Sequence, residues 1–133
     1  MNKYLADTTV VVEMLRGNSA AKRFLESRPE VSLVTAAELI QGARNREDLR
    51  VVERTLELLP QAGIDGKAAV KAVELLKKYH LSQGLLFLDA LVAAAAIIRK
   101  RILVTANVKD FRFIEGLKVV NQTKVFTLSG NGS

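Results

Sequence analysis

The chain has 133 residues, of which 49% are hydrophobic and 26% charged, and it contains no cysteine. That length can bury a core unaided, and the missing thiols exclude a disulfide scaffold and thiolate metal sites. The formal net charge of +6 suits a polyanionic partner, because Lys and Arg gain by displacing counterions from phosphates, although it also keeps many small proteins in solution.

In chain order, short β-prone runs alternate with helical patterns. Strands are expected at Lys3–Ala6, Val31–Val34, Ile102–Thr105, Val119–Val120 and Lys124–Thr127, several without polar alternation, as in buried parallel sheets. Helices are expected at Thr9–Arg16, Ala20–Ser27, Ala36–Ala43, Leu49–Leu58, Gly66–His80 and Asp89–Lys100. The alternation predicts a three-layer α/β/α sandwich around a central, mainly parallel sheet. One domain would occupy 1–127, followed by a loose tail over 128–133. The N-terminus lacks the apolar run of a signal peptide. The most apolar stretch, Leu85–Ile98, carries Asp89 and is shorter than the ~20 helical residues of a bilayer span. A cytoplasmic protein with no membrane association is the expectation.

The acidic residues carry the chemistry. Asp7 ends the first strand, Glu38 sits early in the helix after the second, Asp89 opens the apolar helix, and Asn107 and Asp110 follow the strand Ile102–Thr105. Each has an ordinary alternative. Asp7 and Asp89 could cap helices, and Thr35-Ala36-Ala37-Glu38 fits a capping box. Together they fall at the edge where strand C-termini meet helix N-termini, the usual ligand crevice of a parallel sheet. Two carboxylates ~5 Å apart repel by ~3 kcal/mol at an effective dielectric near 20, so a cluster calls for a proton or a cation. Oxygen ligands without Cys or His suit Mg²⁺ or Mn²⁺, which can activate water against a phosphodiester.

Tyr4-Leu5-Ala6-Asp7-Thr8-Thr9-Val10, Thr35–Gly42, Asp89–Ala94 and Val104–Phe111 resemble, in order and spacing, the motifs of PIN domains, and more closely those of VapC-type toxins of toxin–antitoxin pairs. The resemblance runs from Lys3 to about Asn121. It implies a Mg²⁺- or Mn²⁺-dependent endoribonuclease that acts on RNA, forms a homodimer and is held inactive by a cognate VapB-like antitoxin. Asp7 and Asp89 would then ligate metal, with Glu38 binding metal or positioning water. Thr9 matches a hydroxyl position beside the carboxylates. Asn107 stands where many PIN domains carry Asp; it keeps an oxygen acceptor but no charge, and Asp110 could compensate.

Thr9, Lys109 and Arg112 are the candidate substrate contacts, while Arg99-Lys100-Arg101 is expected to be a solvated helix end. His80 ends a long helix and is a poor candidate for a general base. Phe24, Leu25, Leu49, Val52, Leu56 and Leu59 are expected to include positions facing a dimer mate or antitoxin. Two other readings are a PIN nuclease of RNA processing outside a toxin system and a catalytically weakened RNA-binding module.

Overall fold

A computed structural model describes residues 3–131, with side-chain surroundings described through Thr127. Five strands, β1 (Tyr4–Ala6), β2 (Glu30–Ser32), β3 (Gln61–Ala62), β4 (Ile102–Thr105) and β5 (Val119–Asn121), form one sheet in the order β3-β2-β1-β4-β5. Every pairing is parallel, so all strand C-termini lie along one edge. Among the described residues, seven α-helices surround the sheet: α1 (Thr8–Leu15), α2 (Ser19–Glu26), α3 (Leu33–Gln41), α4 (Arg46–Glu57), α5 (Gly66–Gln83), α6 (Phe87–Arg99) and α7 (Gln122–Asn131).

Alternation along the strands divides the core. Leu5 and Leu103 join a cluster with Leu75 of α5 and Ala90 and Ala93–Ala96 of α6. Their neighbours Ala6 and Val104 point the other way, toward Val10 and Val11 of α1, Phe24 of α2, Val52 and Leu56 of α4 and Phe126 of α7. Both faces are covered, which is why these strands lack a polar face. The result is the expected three-layer α/β/α sandwich. The alanines of α6 are 0–1% exposed; their small side chains let the helix approach the sheet closely. No helix among the described residues is long and apolar enough to cross a membrane.

Several expectations need correction. The run Lys124–Thr127 belongs to helix α7, not to a strand. Asn121 ends β5 and accepts hydrogen bonds from the Thr123 backbone N–H (2.9 Å) and hydroxyl (2.8 Å), turning the chain into that helix. The backbone of α7 is described to Asn131, and Gly132 and Ser133 lie outside the described residues. Strand β2 stops at Ser32, whose hydroxyl accepts from the Thr35 N–H and caps α3 a turn earlier than expected.

Of the six apolar positions expected to include partner contacts, Phe24, Leu25, Val52, Leu56 and Leu59 are buried in the chain's own core, and Leu49 is half-buried. The exposed large apolar residues of these early helices and the turns after them are instead Leu15, Leu33, Ile40, Val51 and Leu58. The end of α6 is likewise not a simple solvated cap. Glu30, 6% exposed, accepts from Arg99 through both carboxylate oxygens and from Arg101 Nε at 3.0 Å. This buried carboxylate ties β2 to the α6–β4 turn across the end of the sheet opposite the crevice.

Candidate active site

The parallel sheet delivers the acidic residues to one edge. Asp7 directly follows β1 and occupies the N-cap position of α1, yet its side chain makes no capping bond. The carboxylate instead accepts the Thr105 hydroxyl at 2.8 Å, which links the C-terminal ends of the adjacent strands β1 and β4. The same Thr105 oxygen accepts the Asn107 N–H at 3.0 Å. Asp89 lies in the first turn of α6, two residues inside its start, so capping does not explain it either. Glu38 is in the second turn of α3, and Ser32 provides that helix's cap. No capping box forms there. The Thr8 hydroxyl donates to Glu38 Oε1 at 2.7 Å and lies 3.1 Å from the buried Thr35 hydroxyl.

The carboxylates sense one another. Asp7 is 8% exposed. Burial pushes its carboxyl up, the Thr105 hydrogen bond opposes this, and the charges of Glu38 and Asp110 add to the rise. Asp89 is pushed up to about 6, mainly by burial and then by the charges of Asp7, Asp110 and Glu38. Asp110 therefore belongs electrostatically to the cluster, although it is exposed at the end of the short 3₁₀ turn Val108–Asp110. Asn107 is exposed at the start of that turn.

Among the described residues, no three potential ligands are gathered tightly enough to enclose a cation. Asp89 and Asp110 line one open hollow and Glu38 another, and the charges of Glu38 and Asp110 reach Asp7. So open an arrangement is compatible with Mg²⁺ chemistry because that ion keeps several waters and uses one or two carboxylates. The donor set is all oxygen. The single histidine, His80, is committed elsewhere, its Nδ1–H donating to the Leu85 carbonyl at 2.7 Å. A divalent ion fits this cleft through its donors and through the repulsion it would relieve.

Asp89 titration gives a test of that repulsion. A folded-state pKa raised from 3.8 to about 6 means that the metal-free folded protein binds the Asp89 proton more tightly than the unfolded chain does. Stability should therefore rise as pH falls from above 6 toward 4, by about 1–2 kcal/mol after solvent screening. Thermal melts in chelator should show that gain, and Asp89→Asn should melt higher than the wild type at pH 7.5 and lose the part of the pH dependence that Asp89 supplies, leaving the part of the same sign due to the buried Asp7. Identical pH profiles for the two proteins would contradict it.

The other sequence candidates divide. Lys109 lines a hollow of about 250 Å³ beside Asp89 and Asp110, together with Gln83, Leu86 and Phe113. Arg112 is exposed on the following turn and does not line that hollow. Thr9 turns its hydroxyl inward, donating to Gln122 Oε1 at 2.9 Å and accepting the Ala106 N–H at 3.1 Å. Sequence reasoning missed Thr8, Thr105 and Gln122, and also a larger groove on the Glu38 side. That groove, about 630 Å³, is lined by Thr8, Glu38, Arg16 and Arg44 among others. A hydroxyl residue directly after Asp7, and another ending β4, were the available signals.

A fully parallel α/β/α sandwich with carboxylates ringing its C-terminal edge defines a class of acidic-cleft domains suited to hard divalent cations. The PIN domain family model matches residues 4–116, and the chain belongs to the PIN domain family. Its relatives include Ribonuclease VapC10 of Mycobacterium tuberculosis, 34% identical over 120 residues, covering 86% of this chain and 90% of that protein. Among solved structures, a toxin–antitoxin complex from Klebsiella pneumoniae contains a chain 30% identical, with a TM-score of 0.73, covering 88% of this chain and 95% of that one. DNA-bound VapBC from Salmonella typhimurium contains one 26% identical, with a TM-score of 0.79, covering 92% and 99%.

Proposed function

We propose that this protein is a Mg²⁺- or Mn²⁺-dependent endoribonuclease, the toxin of a VapBC-type pair, acting in the cytoplasm as a homodimer restrained by a cognate antitoxin. The observation that carries the reading is the placement of Asp7 just past β1, Asp89 in the first turn of α6 and Asp110 just after β4 along one edge of a parallel sheet, with Glu38 on α3 close enough for its charge to reach Asp7 and Asp89, in a chain similar over most of its length to a VapC ribonuclease.

Asp7 and Asp89 would hold the metal, with Glu38 completing the set from α3. When bound, the ion supplies an activated water and neutralises charge on the scissile phosphate. The remaining work belongs to side chains. Thr105 fixes one Asp7 oxygen, and Thr8 orients Glu38. Asn107 contributes a neutral oxygen at the fourth position, with Asp110 adding charge from the same turn. Lys109 and Arg112 meet backbone phosphates on the Asp89 side, and Arg16 and Arg44 on the Glu38 side, where cation–phosphate contacts give affinity without sequence preference.

The purified protein should cut single-stranded RNA in Mg²⁺ or Mn²⁺ and stop when chelator is added. The product of an adjacent antitoxin gene should suppress both cleavage and growth inhibition. Cleavage that persists in chelator would rule out the metal mechanism, and growth inhibition unaffected by the antitoxin would rule out the toxin assignment.

A further inference from the structure

We propose that Gln122, the first residue of α7, is a positioning residue for the active-site turn, acting through Thr9; its kinetic part rests on the ribonuclease reading above. Gln122 is only 5% exposed. Its Oε1 accepts the Thr9 hydroxyl at 2.9 Å, across 113 residues of sequence. The Thr9 oxygen in turn accepts the backbone N–H of Ala106 at 3.1 Å. Ala106 lies between Thr105, which donates to Asp7, and Asn107, whose N–H returns to the Thr105 hydroxyl.

The chain of bonds therefore runs Gln122, Thr9, Ala106 and then the turn that presents both the Asp7 partner and Asn107. A hydroxyl is free to rotate, and its donated bond decides which way its lone pairs face. With the Thr9 proton committed to Gln122, a lone pair is aimed at Ala106 N–H. Without Gln122 that orientation is lost: the 105–107 turn keeps the Thr105 bonds and the Asp110 N–H to Asn107 carbonyl bond (2.9 Å) but loses its oriented tie to α1. Helix α7 is itself anchored by Val125 and Phe126, both buried against the α2 side of the core, with the Phe126 ring 6.1 Å from that of Phe24. Gln122 is thus a fixed point, and the α7 start belongs to the scaffold of the site.

The test combines kinetics with a readout independent of catalysis. Gln122→Met keeps the side-chain length and removes the acceptor; Thr9→Val removes the hydroxyl; Thr9→Ser retains it. Gln122→Met and Thr9→Val should each lower kcat on RNA about 10- to 100-fold with KM unchanged, and Thr9→Ser should recover most of the rate. The double variant Gln122→Met/Thr9→Val should be no slower than Thr9→Val alone. In metal-free protein, the amide resonances of Ala106 and Asn107 should move in Gln122→Met and Thr9→Val and stay in place in Thr9→Ser. Unmoved resonances with full kcat in Gln122→Met would overturn the proposal. So would rate losses that add in the double variant, or that vanish on assay well below each variant's melting temperature. If wild-type protein is inert on RNA while the resonances still move, the ribonuclease reading fails and the positioning of the turn stands.

Discussion

Asp7→Asn and Asp89→Asn should each slow RNA cleavage on the order of 10³-fold, about 4 kcal/mol of lost transition-state stabilisation, while leaving the fold intact. The two expectations rest on different surroundings. Asp7 is buried and held by Thr105, and Asn keeps an oxygen able to accept that hydroxyl proton, so the substitution removes charge with little change in packing. Asp89 is half-buried and repelled by its neighbours, so Asn at that position relieves strain as well as charge. Catalytic loss and a higher melting temperature should therefore coincide in Asp89→Asn. A variant that lost activity by unfolding would show the reverse. The measurement is single-turnover cleavage at saturating enzyme alongside thermal melts; loss of less than tenfold in both variants would remove these residues from the mechanism.

The largest effect on stability should come from the other end of the sheet. Glu30→Ala leaves Arg99 and Arg101 facing each other without their shared carboxylate. Breaking a buried ion pair by removing one partner costs about 3–5 kcal/mol, and because both guanidiniums reach solvent the lower figure applies, roughly a 10 °C drop in melting temperature for a chain of this size. Hydrogen bonding from Arg99, against a smaller burial penalty, and then from Arg101 holds the Glu30 carboxyl below its usual 4.5. A depressed carboxylate stabilises the fold above its unfolded pKa, and that contribution disappears as pH falls through the folded value. The gap between wild type and Glu30→Ala should accordingly be full at pH 7 and close on acidification below 4.5. Cleavage measured well below the melting temperature should be unaffected, because Glu30, Arg99 and Arg101 sit opposite the crevice. A gap that is small at neutral pH, or that widens in acid, would contradict the ion-pair account.

These cases show what local sequence carries and what it does not. Strands β1 and β4 were legible because strands buried on both faces are continuous apolar runs, and Asp7 and Asn107 follow from them as the residues just past the strand ends. The first turn of α6 was legible from the one acid in an apolar helix. Strand β3 was not, since two residues after Pro60 carry no periodicity; pairing with Val31 and Ser32 makes it a strand. The Val125–Phe126 pair bracketed by polar residues imitates a short strand, and only the Asn121-x-Thr123 turn marks the helix start. Thr35–Glu38 imitates a capping box one turn inside a helix that Ser32 already caps. The least legible features are the polar pairings: Thr105 with Asp7, Thr9 with Gln122 and Arg99 with Glu30 are separated by 98, 113 and 69 residues. No local pattern pairs residues so far apart; the strand order does.

The most direct test of the acidic cleft follows metal and cleavage together. Mn²⁺ binding to the RNA-free protein would be titrated by electron paramagnetic resonance, and RNA cleavage would be measured over the same Mn²⁺ range, for wild type, Asp7→Asn and Asp89→Asn. The cleft account predicts that wild-type cleavage rises with Mn²⁺ and is absent in chelator, and that both variants lose bound Mn²⁺ and cleavage together. Wild-type cleavage independent of Mn²⁺, or variants that bind the ion and cut RNA as the wild type does, would contradict it.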